Sequence, residues 1–527
     1  VWTEITWAEA GQIARRMVTA LRAQGLQPGD HIATFSKNCP HWILADLAIL
    51  MGGYVSVPLY SSLPGPQLKE VIELGDVKAI FIGKVDAWNN EHDAVIAGDV
   101  KPILFPQIDS GLTASGALSW DKLVEEYEPY TENFAPQLSD LWTIKFTSGT
   151  TGTPKGVMHS HETLSNCMHN EQQTNGFGMF EFDDARYFSY LPLNHVAERV
   201  GVEMPAIWGG GVISFPETLE TFAKNIQEVQ PTTFFAVPRI WTNFYTGITN
   251  KIPEAKLEAL LSDPQTVDAT KQQLTAGIGL RDVKVTTSGA AITPAFIKEF
   301  YRKLGINLMD GYGMTETCGG VTLCRDPDGP VDSVGKALPW GDVKIDPDTQ
   351  EILMTSKLMM TGYYKNPEKT AEVLQDGWLK SGDRGTLDED GYLRIVGRIN
   401  DAFKTSKGSY VTPNPLEEAL SENEFVEQIC VVGLGIPQPI ALVNLSPQGA
   451  DADRAVVGDS LIKSLDALNS TRAKFEHIST IVVQTEPWTV DNGCLTPTLK
   501  VKRFAFDERH AADYLNWHQA PERVIWC

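Results

Sequence analysis

Short apolar runs alternate with amphipathic stretches along most of this chain. Buried strands appear as short runs of β-branched and aromatic residues, whereas a helix repeats its apolar positions every three or four residues. The first pattern predicts buried strands at His31–Ser36, Lys78–Gly83, Gly211–Phe215, Thr232–Val237 and Lys284–Thr287. The second predicts a helix over Pro294–Leu304, with Ile297, Phe300 and Tyr301 on one face. This alternation indicates a layered α/β architecture with largely parallel sheets.

The pattern changes after Val331. Gly377–Gly397 predicts short strands joined at Asp388–Gly391, because an Asp-Gly pair supplies the positive φ angles of a hairpin turn. We therefore expect an α/β fold with a large N-terminal domain over residues 1–398, made of layered α/β subdomains and a β-rich part. A hinge at 399–400 and a small, mobile α+β C-terminal domain over 401–527 would follow. About 130 residues is a normal domain size.

Composition narrows the class of protein. The 527 residues suffice for several hydrophobic cores, and 42% apolar with 21% charged residues is ordinary for a globular protein. The net charge of −23 argues against nucleic-acid binding, which needs a basic surface. ATP binding is still compatible with this charge, since a local pocket and a metal ion override the mean field. The simplest interpretation of the acidity is solubility.

The cysteines and the apolar stretches indicate the compartment. The seven cysteines are widely spaced without a Cys-x-x-Cys pair, so we expect no disulfide framework or zinc knuckle and a reducing, cytoplasmic location. The most apolar stretch, Trp42–Val57, is too short and interrupted to span a bilayer. No signal peptide is evident. The chain does not begin with Met, so we expect a preceding N-terminal segment.

The segment Phe146–Val157 carries the most specific chemical signal. It combines three glycines, whose backbone can turn sharply, with five hydroxyl side chains and one lysine. Such a set of donors and positive charge suits a polyphosphate, which offers many acceptor oxygens. The alternative interpretation is a surface loop. The candidate phosphate-binding residues are Thr147, Ser148, Gly149, Thr150, Thr151, Gly152 and Lys155.

Other nucleotide-binding and hydrolytic motifs are missing from the sequence. A Walker loop needs the lysine directly after the second glycine, and here Pro154 intervenes. No strand candidate is followed by Gly-x-Gly-x-x-Gly, so a dinucleotide-binding fold has no support. The sequence also has no Gly-x-Ser-x-Gly elbow, which argues against an α/β-hydrolase.

With four further motifs in order, the chain resembles the adenylate-forming superfamily of acyl-CoA synthetases, peptide-synthetase adenylation domains and luciferases. The resemblance covers essentially the whole chain. Three other segments, Leu191–Arg199, Val237–Trp241 and Lys404–Val411, resemble the long-chain acyl-CoA synthetase branch. The four motifs are Asp310–Thr317, Ser381–Gly385, Gly397-Arg398 and Leu495–Lys500.

The resemblance implies an adenine site in the middle of the chain. Tyr312 would stack on adenine, although a core tyrosine is the alternative. Asp310 would accept a hydrogen bond from the adenine amino group. Small residues are needed where a purine lies against backbone, and the resemblance assigns this wall and the adjoining glycines to Gly289, Ala290, Ala291, Gly311 and Gly313.

The resemblance also implies contacts to phosphate, magnesium and ribose. Thr315 and Glu316 would meet the phosphates and Mg²⁺, since a carboxylate is a hard oxygen ligand suited to this ion. Asp383 would accept from both ribose hydroxyls; the alternative is a turn residue. Arg398 resembles the arginine that contacts the nucleotide near the hinge. His195 falls beside the acyl carboxylate in the family, with a polar core histidine as the alternative.

Lys500 resembles the lysine that acts in adenylate formation. A lysine bridging the carboxylate and the α-phosphate would stabilise the charge that develops between them. Many family members have glycine before this lysine, whereas this chain has Leu499. Alignment on Gly493 would instead place Cys494 in the lysine position. We prefer Lys500, with Lys502 as the nearby competitor and a solvated basic surface as the alternative for both.

The resemblance implies two orientations of the C-terminal domain that turn about Asn400, where the family more often has Asp or Lys. In the second orientation the loop Phe403–Tyr410 would replace Lys500 in the site. Its Lys404, Lys407 and Gly408 would approach CoA, and a solvated loop is the alternative.

The resemblance therefore implies ATP-dependent activation of a fatty acid to acyl-AMP, followed by transfer to CoA. The alternatives are a fatty-acyl-AMP ligase or adenylation enzyme that loads a carrier protein, and a non-catalytic member of the family. The implied cofactors and partners are ATP, Mg²⁺, CoA and a fatty acid, without nucleic acid. Peripheral membrane contact and a homodimer are left open.

Overall fold

The computed structural model describes residues 2–85, 88–96, 100–107, 116–147, 154–218, 220–489, 492–496 and 500–527. A π-helical turn at Arg199–Glu203 follows α7 directly, and a 3-10 turn covers Thr315–Thr317. In chain order the α-helices are α1 (Trp7–Ala23), α2 (Pro40–Met51), α3 (Gly65–Leu74), α4 (Asn90–Ile96), α5 (Trp120–Glu126), α6 (His161–Thr174), α7 (Val196–Glu198), α8 (Met204–Gly209), α9 (Phe222–Val229), α10 (Pro238–Thr249), α11 (Glu254–Ser262), α12 (Val267–Gly277), α13 (Ala295–Lys303), α14 (Pro367–Val373), α15 (Asn414–Ser421), α16 (Pro447–Asp451), α17 (Arg454–Thr471), α18 (Arg503–His510) and α19 (Tyr514–Gln519).

The strands are β1 (His31–Phe35), β2 (Val55–Leu59), β3 (Val77–Ile82), β4 (Lys101–Leu104), β5 (Leu118–Ser119), β6 (Leu141–Thr147), β7 (Lys155–Ser160), β8 (Arg186–Phe188), β9 (Val212–Ser214), β10 (Thr233–Ala236), β11 (Val285–Ser288), β12 (Leu308–Met314), β13 (Gly319–Leu323), β14 (Lys336–Ala337), β15 (Gly341–Ile345), β16 (Glu351–Ser356), β17 (Gly362–Tyr363), β18 (Leu374–Gln375), β19 (Trp378–Leu387), β20 (Leu393–Arg398), β21 (Phe403–Lys404), β22 (Tyr410–Val411), β23 (Val426–Val432), β24 (Ile440–Leu445), β25 (Ile481–Gln484) and β26 (Val524–Trp526).

Contacts divide the chain into two compact units. The first comprises Val1–Val343, Met354–Leu379 and Glu389–Tyr392, and the second comprises Lys344–Leu353, Lys380–Asp388 and Leu393–Cys527. The domain boundary predicted at 398–400 stays a prediction.

Two sheets form the framework of the first unit. In the described part of the chain, one has the order β17-β7-β6-β2-β1-β3-β4-β5 and the other the order β14-β13-β12-β11-β10-β8-β9. Pairing is parallel from β6 through β5 and from β9 through β12, while β7, β17, β13 and β14 are antiparallel additions. All five residues of β2 (Val55–Leu59) are buried. A strand that is covered on both faces in this way needs an almost continuous apolar run.

Local sequence signals fix the ends of helices next to these sheets. Helix α1 begins with a capping box, in which the Thr6 hydroxyl accepts from the Glu9 N–H and the Glu9 carboxylate accepts from the Thr6 N–H. Helix α6 begins after Ser160, whose hydroxyl accepts from Thr163 N–H, and ends at Asn175 with a φ of 53°. The strand β7 therefore passes directly into α6.

The predicted strands and the predicted helix are confirmed. They correspond to β1, β3, β9, β10, β11 and α13, with boundaries that differ by one residue or so. The hairpin predicted over Gly377–Gly397 is present as β19 and β20, which pair antiparallel with Asp383 opposite Arg398.

The second unit carries its own sheet and core. Strands β23-β24-β25-β26 form a mixed sheet, whose core includes Leu416, Val443 and Leu461. The segment predicted as a loop over Phe403–Tyr410 is a tight hairpin of β21 and β22, because Gly408 supplies a φ of 86° in its turn.

The cysteines are free thiols. Six are buried, and Cys527 next to β26 is exposed. In the part of the chain that the structure describes, no helix is long and apolar enough to cross a bilayer.

Candidate functional site

The glycine- and threonine-rich segment is held at both ends by an antiparallel strand pair. Strand β6 ends at Thr147 and β7 begins at Lys155, and these two residues face each other in the register. Five of the predicted phosphate-binding residues lie outside the described residues: Ser148, Gly149, Thr150, Thr151 and Gly152.

Thr315 and Glu316 lie in the 3-10 turn that follows β12, and buried groups of β7 and β17 hold them. The Tyr363 hydroxyl donates to Glu316 Oε1 at 2.7 Å, and Lys155 Nζ lies 5.8 Å from the centre of the Tyr363 ring. His159 Nε2 donates to the Thr315 carbonyl at 2.7 Å. Burial lowers the pKa of His159 to about 3, so its ring is neutral at physiological pH.

The predicted adenine wall is formed by the ends of β11 and β12. These strands are parallel, and Ser288 faces Asp310 in the register. Ala290, just beyond β11, is exposed and has a φ of 68°, which is unusual for a residue with a Cβ. A Cβ on Gly313 would lie 1.9 Å from the Gly319 carbonyl oxygen, so glycine is required there. Gly289, Ala291, Gly311 and Gly313 all lie at this end of the sheet.

Asp310 and Tyr312, the predicted contacts of adenine, are both buried. Asp310 is 1% exposed and forms an ion pair with Lys298 at 3.2 Å. Burial raises the pKa of Asp310 to about 6, and Lys298 opposes this shift. Tyr312 is 8% exposed. The predicted contacts of both residues with adenine stay predictions.

His195 caps the short helix α7 and is half-buried. Its Nδ1 accepts from the Ala197 N–H at 3.3 Å, so a neutral ring carries its proton on Nε2. Beside it lies a buried polar group, in which Ser189 donates to Glu198 at 2.6 Å and Asn38 donates to Ser189 at 2.9 Å. Its predicted role beside an acyl carboxylate stays a prediction.

The π-helical turn beyond His195 carries a buried ion network. Arg199 pairs with Asp46 and, at 3.0 Å, with Glu203, and it donates to Thr143 of β6 at 3.2 Å. Burial raises the pKa of Glu203 to about 8, an effect that Arg199 opposes. Strand β6, which leads to the glycine- and threonine-rich segment, is thereby tied to α2 and to the π-helical turn.

The second unit brings together three predicted residues. Arg398 Nε and Asp383 Oδ1 are 3.3 Å apart across the β19–β20 hairpin. The pKa of Lys500 is lowered by desolvation of its ammonium and, next, by the nearby Arg398 guanidinium. Asp383 opposes this shift. Part of the residue is nevertheless exposed to solvent. An ammonium and a guanidinium that lie near each other are suited to anionic ligands.

Lys500 lies at the end of a short connection that is closed by backbone pairing. Leu495 forms a β-bridge with Val501, and Thr496 donates its N–H to the Lys500 carbonyl at 2.8 Å. Cys494 is 3% exposed, and its sulfur accepts from Arg509 at 2.9 Å. Cys494 is therefore part of the core, and the choice of Lys500 for the lysine position stays a prediction. Leu499 lies outside the described residues.

The predicted hinge and CoA-side residues lie at the surface of the second unit. Asn400 is exposed in the turn after β20. Lys404 and Tyr410 belong to the β21–β22 hairpin, with Lys404 Nζ 5.6 Å from the Tyr410 ring centre. Lys407 and Gly408 form its exposed turn. The roles of these residues stay predictions.

Each unit thus assembles its own predicted residues. The first holds Thr147, Lys155, His195, the adenine wall, Thr315 and Glu316, and the second holds Asp383, Arg398, Asn400 and Lys500. Among described residues, no group of three or more His, Cys, Asp or Glu side chains could hold a metal ion. Sequence reasoning missed Tyr363 and His159, because neither lies in a recognised motif and a single sequence offers no signal for either.

The fold is that of adenylate-forming enzymes. The adenylation domain of carboxylic acid reductase from Segniliparus rugosus, in complex with AMP and a carboxylic acid, has a TM-score of 0.79 at 22% identity, over 96% of this chain and 86% of that chain. o-Succinylbenzoate CoA synthetase from Bacillus subtilis has a TM-score of 0.73 at 21% identity, over 95% and 93%. At these identities the likeness concerns the fold alone.

Residues 1–364 match the family described as AMP-binding enzyme, and residues 400–513 match the AMP-binding enzyme C-terminal domain. The chain belongs to this family. It is 30% identical to long-chain-fatty-acid–CoA ligase FadD15 of Mycobacterium tuberculosis over 97% of this chain and 92% of that protein. It is 28% identical to peroxisomal long chain acyl-CoA synthetase 6 of Arabidopsis thaliana, over 98% and 81%. The predicted resemblance and fold class are confirmed.

Proposed function

We propose that this protein is an AMP-forming fatty acid–CoA ligase. In its first step a carboxylate oxygen attacks the α-phosphorus of ATP, and the bond to the pyrophosphate leaving group breaks. In the second step the CoA sulfur attacks the acyl carbon, its proton is lost, and AMP leaves. Formation of the mixed anhydride is necessary because a carboxylate is itself a poor acyl donor.

The observation that carries this proposal is similarity along almost the entire chain to proteins named as long-chain fatty-acid–CoA ligases. Both parts of the family are matched, the AMP-binding enzyme over residues 1–364 and its C-terminal domain over residues 400–513. The charged residues that the chemistry needs are also present in the described structure: Lys155, Glu316 and Lys500.

In the first unit, Thr147 and Lys155 would bind the phosphates at the two ends of their connecting segment. Ammonium and hydroxyl groups match the many acceptor oxygens of a triphosphate. Tyr312 and the adjoining wall would hold adenine. His195, with Nδ1 engaged by backbone, would direct Nε2–H toward an acyl carboxylate oxygen.

Glu316 fits a role in binding Mg²⁺ together with nucleotide phosphates. Mg²⁺ is usually held by one or two carboxylates plus phosphate oxygens rather than by a complete cage of protein ligands. A single buried carboxylate with one oxygen engaged by Tyr363 suits that pattern. When bound, Mg²⁺ would neutralise phosphate charge.

In the second unit, Lys500 would stabilise the charge that develops as carboxylate and α-phosphate approach. Asp383 would accept from the ribose hydroxyls, and Arg398 beside it would contact the nucleotide. Rotation about Asn400 would then bring Lys404 and Lys407 toward the CoA phosphates.

Cytoplasmic location follows in this proposal from the free cysteines, which suit a reducing compartment. Peripheral membrane contact and homodimer formation stay open predictions.

The test is pyrophosphate release across a panel of medium- and long-chain fatty acids, with and without CoA. We expect release to depend on the fatty acid and acyl-CoA to accumulate only with CoA. The Lys500→Ala variant should lose about 100-fold or more of adenylate formation, as when a charge-stabilising donor is removed. It should retain transfer from supplied acyl-AMP to CoA.

Lys502→Ala is the matched control, since Lys502 lies two residues away at the N-cap position of α18, where its side chain makes no capping hydrogen bond. Equal loss in both lysine variants, or equal loss of both half-reactions in K500A, would remove the role of Lys500. Acyl transfer to a carrier protein but not to CoA would replace the ligase with the loading enzyme. No pyrophosphate release with any acid would refute the enzyme assignment.

A further inference from the structure

Tyr363 contacts two charged residues of the proposed phosphate site at once. Its hydroxyl donates to Glu316 Oε1 at 2.7 Å, and the ring centre lies 5.8 Å from Lys155 Nζ. The side chain is 6% exposed. Glu316 and Lys155 come from segments that are far apart in sequence, and the tyrosine connects them.

We propose that Tyr363 is a positioning residue that orients Glu316 for Mg²⁺ and Lys155 for the nucleotide phosphates. This inference rests on the proposed function. In this proposal Tyr363 increases the affinity for the magnesium–nucleotide complex. It does not contact the reacting atoms.

The backbone fixes Tyr363 relative to both partners. In β17 it pairs with Val157 of β7, two residues beyond Lys155. Its N–H donates to the Thr370 hydroxyl at 2.9 Å. On the other side, Met360 donates its N–H to the Glu316 carbonyl at 2.7 Å. The segments that carry Lys155 and Glu316 are therefore both anchored to β17 or to the residues just before it.

The chemistry of a buried phenol suits this position. Its hydrogen bond uses one carboxylate oxygen and fixes the direction of the other. The electron-rich ring face attracts the lysine ammonium. One side chain thus holds a negative and a positive group in fixed places.

The next residue provides a matched control. Tyr364 also donates its hydroxyl to a carboxylate, Asp76 Oδ2, at 2.6 Å. Asp76 has no place in the proposed site. Removal of either hydroxyl deletes one oxygen atom and one charge-assisted hydrogen bond, but only the Tyr363 hydroxyl contacts Glu316.

The experiment measures binding of a non-hydrolysable ATP analogue by calorimetry, at graded Mg²⁺ and without Mg²⁺, for the wild type, Y363F and Y364F. A hydrogen bond to a charged group is a strong one, so we expect Y363F to need about 10-fold more Mg²⁺ for half-maximal tightening of binding. Binding without Mg²⁺ should change less than about 2-fold, since the ring opposite Lys155 is retained. Y364F should match the wild type.

A double-mutant cycle with Glu316→Gln separates positioning from a general loss of stability. In the E316Q background, Y363F should have no further effect on the Mg²⁺ requirement. A merely structural defect would weaken binding equally in both backgrounds and without Mg²⁺. The inference is overturned if Y363F keeps the wild-type Mg²⁺ requirement, or if its effect is unchanged by E316Q. Wild-type binding that does not respond to Mg²⁺ would instead refute the proposed magnesium role of Glu316, and the inference with it.

Discussion

Lys145 of β6 is buried at a cost that can be measured. The side chain is 2% exposed, and in the described structure its ammonium has no hydrogen-bond acceptor. Its neighbours include the Trp142 ring, whose centre is 4.7 Å from Nζ. Burial lowers the pKa of Lys145 to about 8, and the Cys318 sulfur opposes the shift. We predict that Lys145→Met stabilises the protein at neutral pH.

The magnitude follows from the two pKa values. The reference value of 10.5 falls to about 8 in the folded chain. At about 1.4 kcal/mol per pKa unit, charging this lysine at pH 7 costs the folded state about 3 kcal/mol. Methionine has a similar shape and carries no charge, so this cost disappears. The loss of the cation–π contact with Trp142 offsets about 1 kcal/mol. The net gain is about 2 kcal/mol.

The sign of the pH dependence is specific to this group. Because the folded pKa lies below the unfolded one, the unfolded chain binds more protons between about pH 8 and 10.5, and wild-type stability from Lys145 rises over that range. K145M lacks this contribution. Its advantage should therefore be full at about pH 7 and nearly absent above about pH 10.5. Buried acids that also titrate near pH 8, such as Glu198, are common to both proteins.

The assay is urea unfolding followed by tryptophan fluorescence, at about pH 7 and about pH 10, for the wild type and K145M. Lys122→Met, at an exposed position of α5, is the control and should change stability by no more than about 0.5 kcal/mol. A K145M variant that is less stable than the wild type at pH 7, or whose difference is the same at both pH values, would contradict the reasoning.

Two further predictions concern backbone freedom. Asn400→Pro should leave adenylate formation near wild type and block transfer to CoA, because proline fixes φ at the predicted hinge. Separate measurement of the two half-reaction rates checks this prediction. A normal overall rate would exclude the hinge role. Gly313→Ala should destabilise the protein by about 3 kcal/mol or more, since its Cβ would lie 1.9 Å from the Gly319 carbonyl oxygen. In contrast, Gly11→Ala in α1, where a Cβ meets nothing within 4 Å, should stabilise it by about 0.5–1 kcal/mol. Thermal unfolding of the two glycine variants tests the contrast, and equal shifts would refute it.

Apolar runs predicted β1, β3, β10 and β11 correctly because most residues of these four strands are buried. β10 (Thr233–Ala236) and β11 (Val285–Ser288) could be predicted without knowledge of the strands beside them. The turn between β19 and β20 was equally local, since an Asp-Gly pair has few alternatives. The hairpin of β21 and β22 was not predicted, because its two-residue strands are too short to show a period.

The candidate site likewise contains some residues that the sequence identifies and others that it does not. Lys155, Glu316 and Lys500 could be selected because they stand in recognisable motifs. Tyr363 could not, since its meaning depends on a contact with Glu316 across 47 positions of the chain. The ion pair of Arg199 with Asp46 spans 153 positions and joins the largely buried helix α2 to a π-helical turn. Such pairings are decided by tertiary packing, which one sequence does not reveal.

Cys527 gives this enzyme a natural attachment point for a reporter. Because the other six thiols are shielded, a maleimide dye would react at one place without any cysteine having to be replaced. The dye would be attached next to β26, at the edge of the second unit's sheet. Its fluorescence could then follow that unit in real time as ATP, fatty acid and CoA are added in turn.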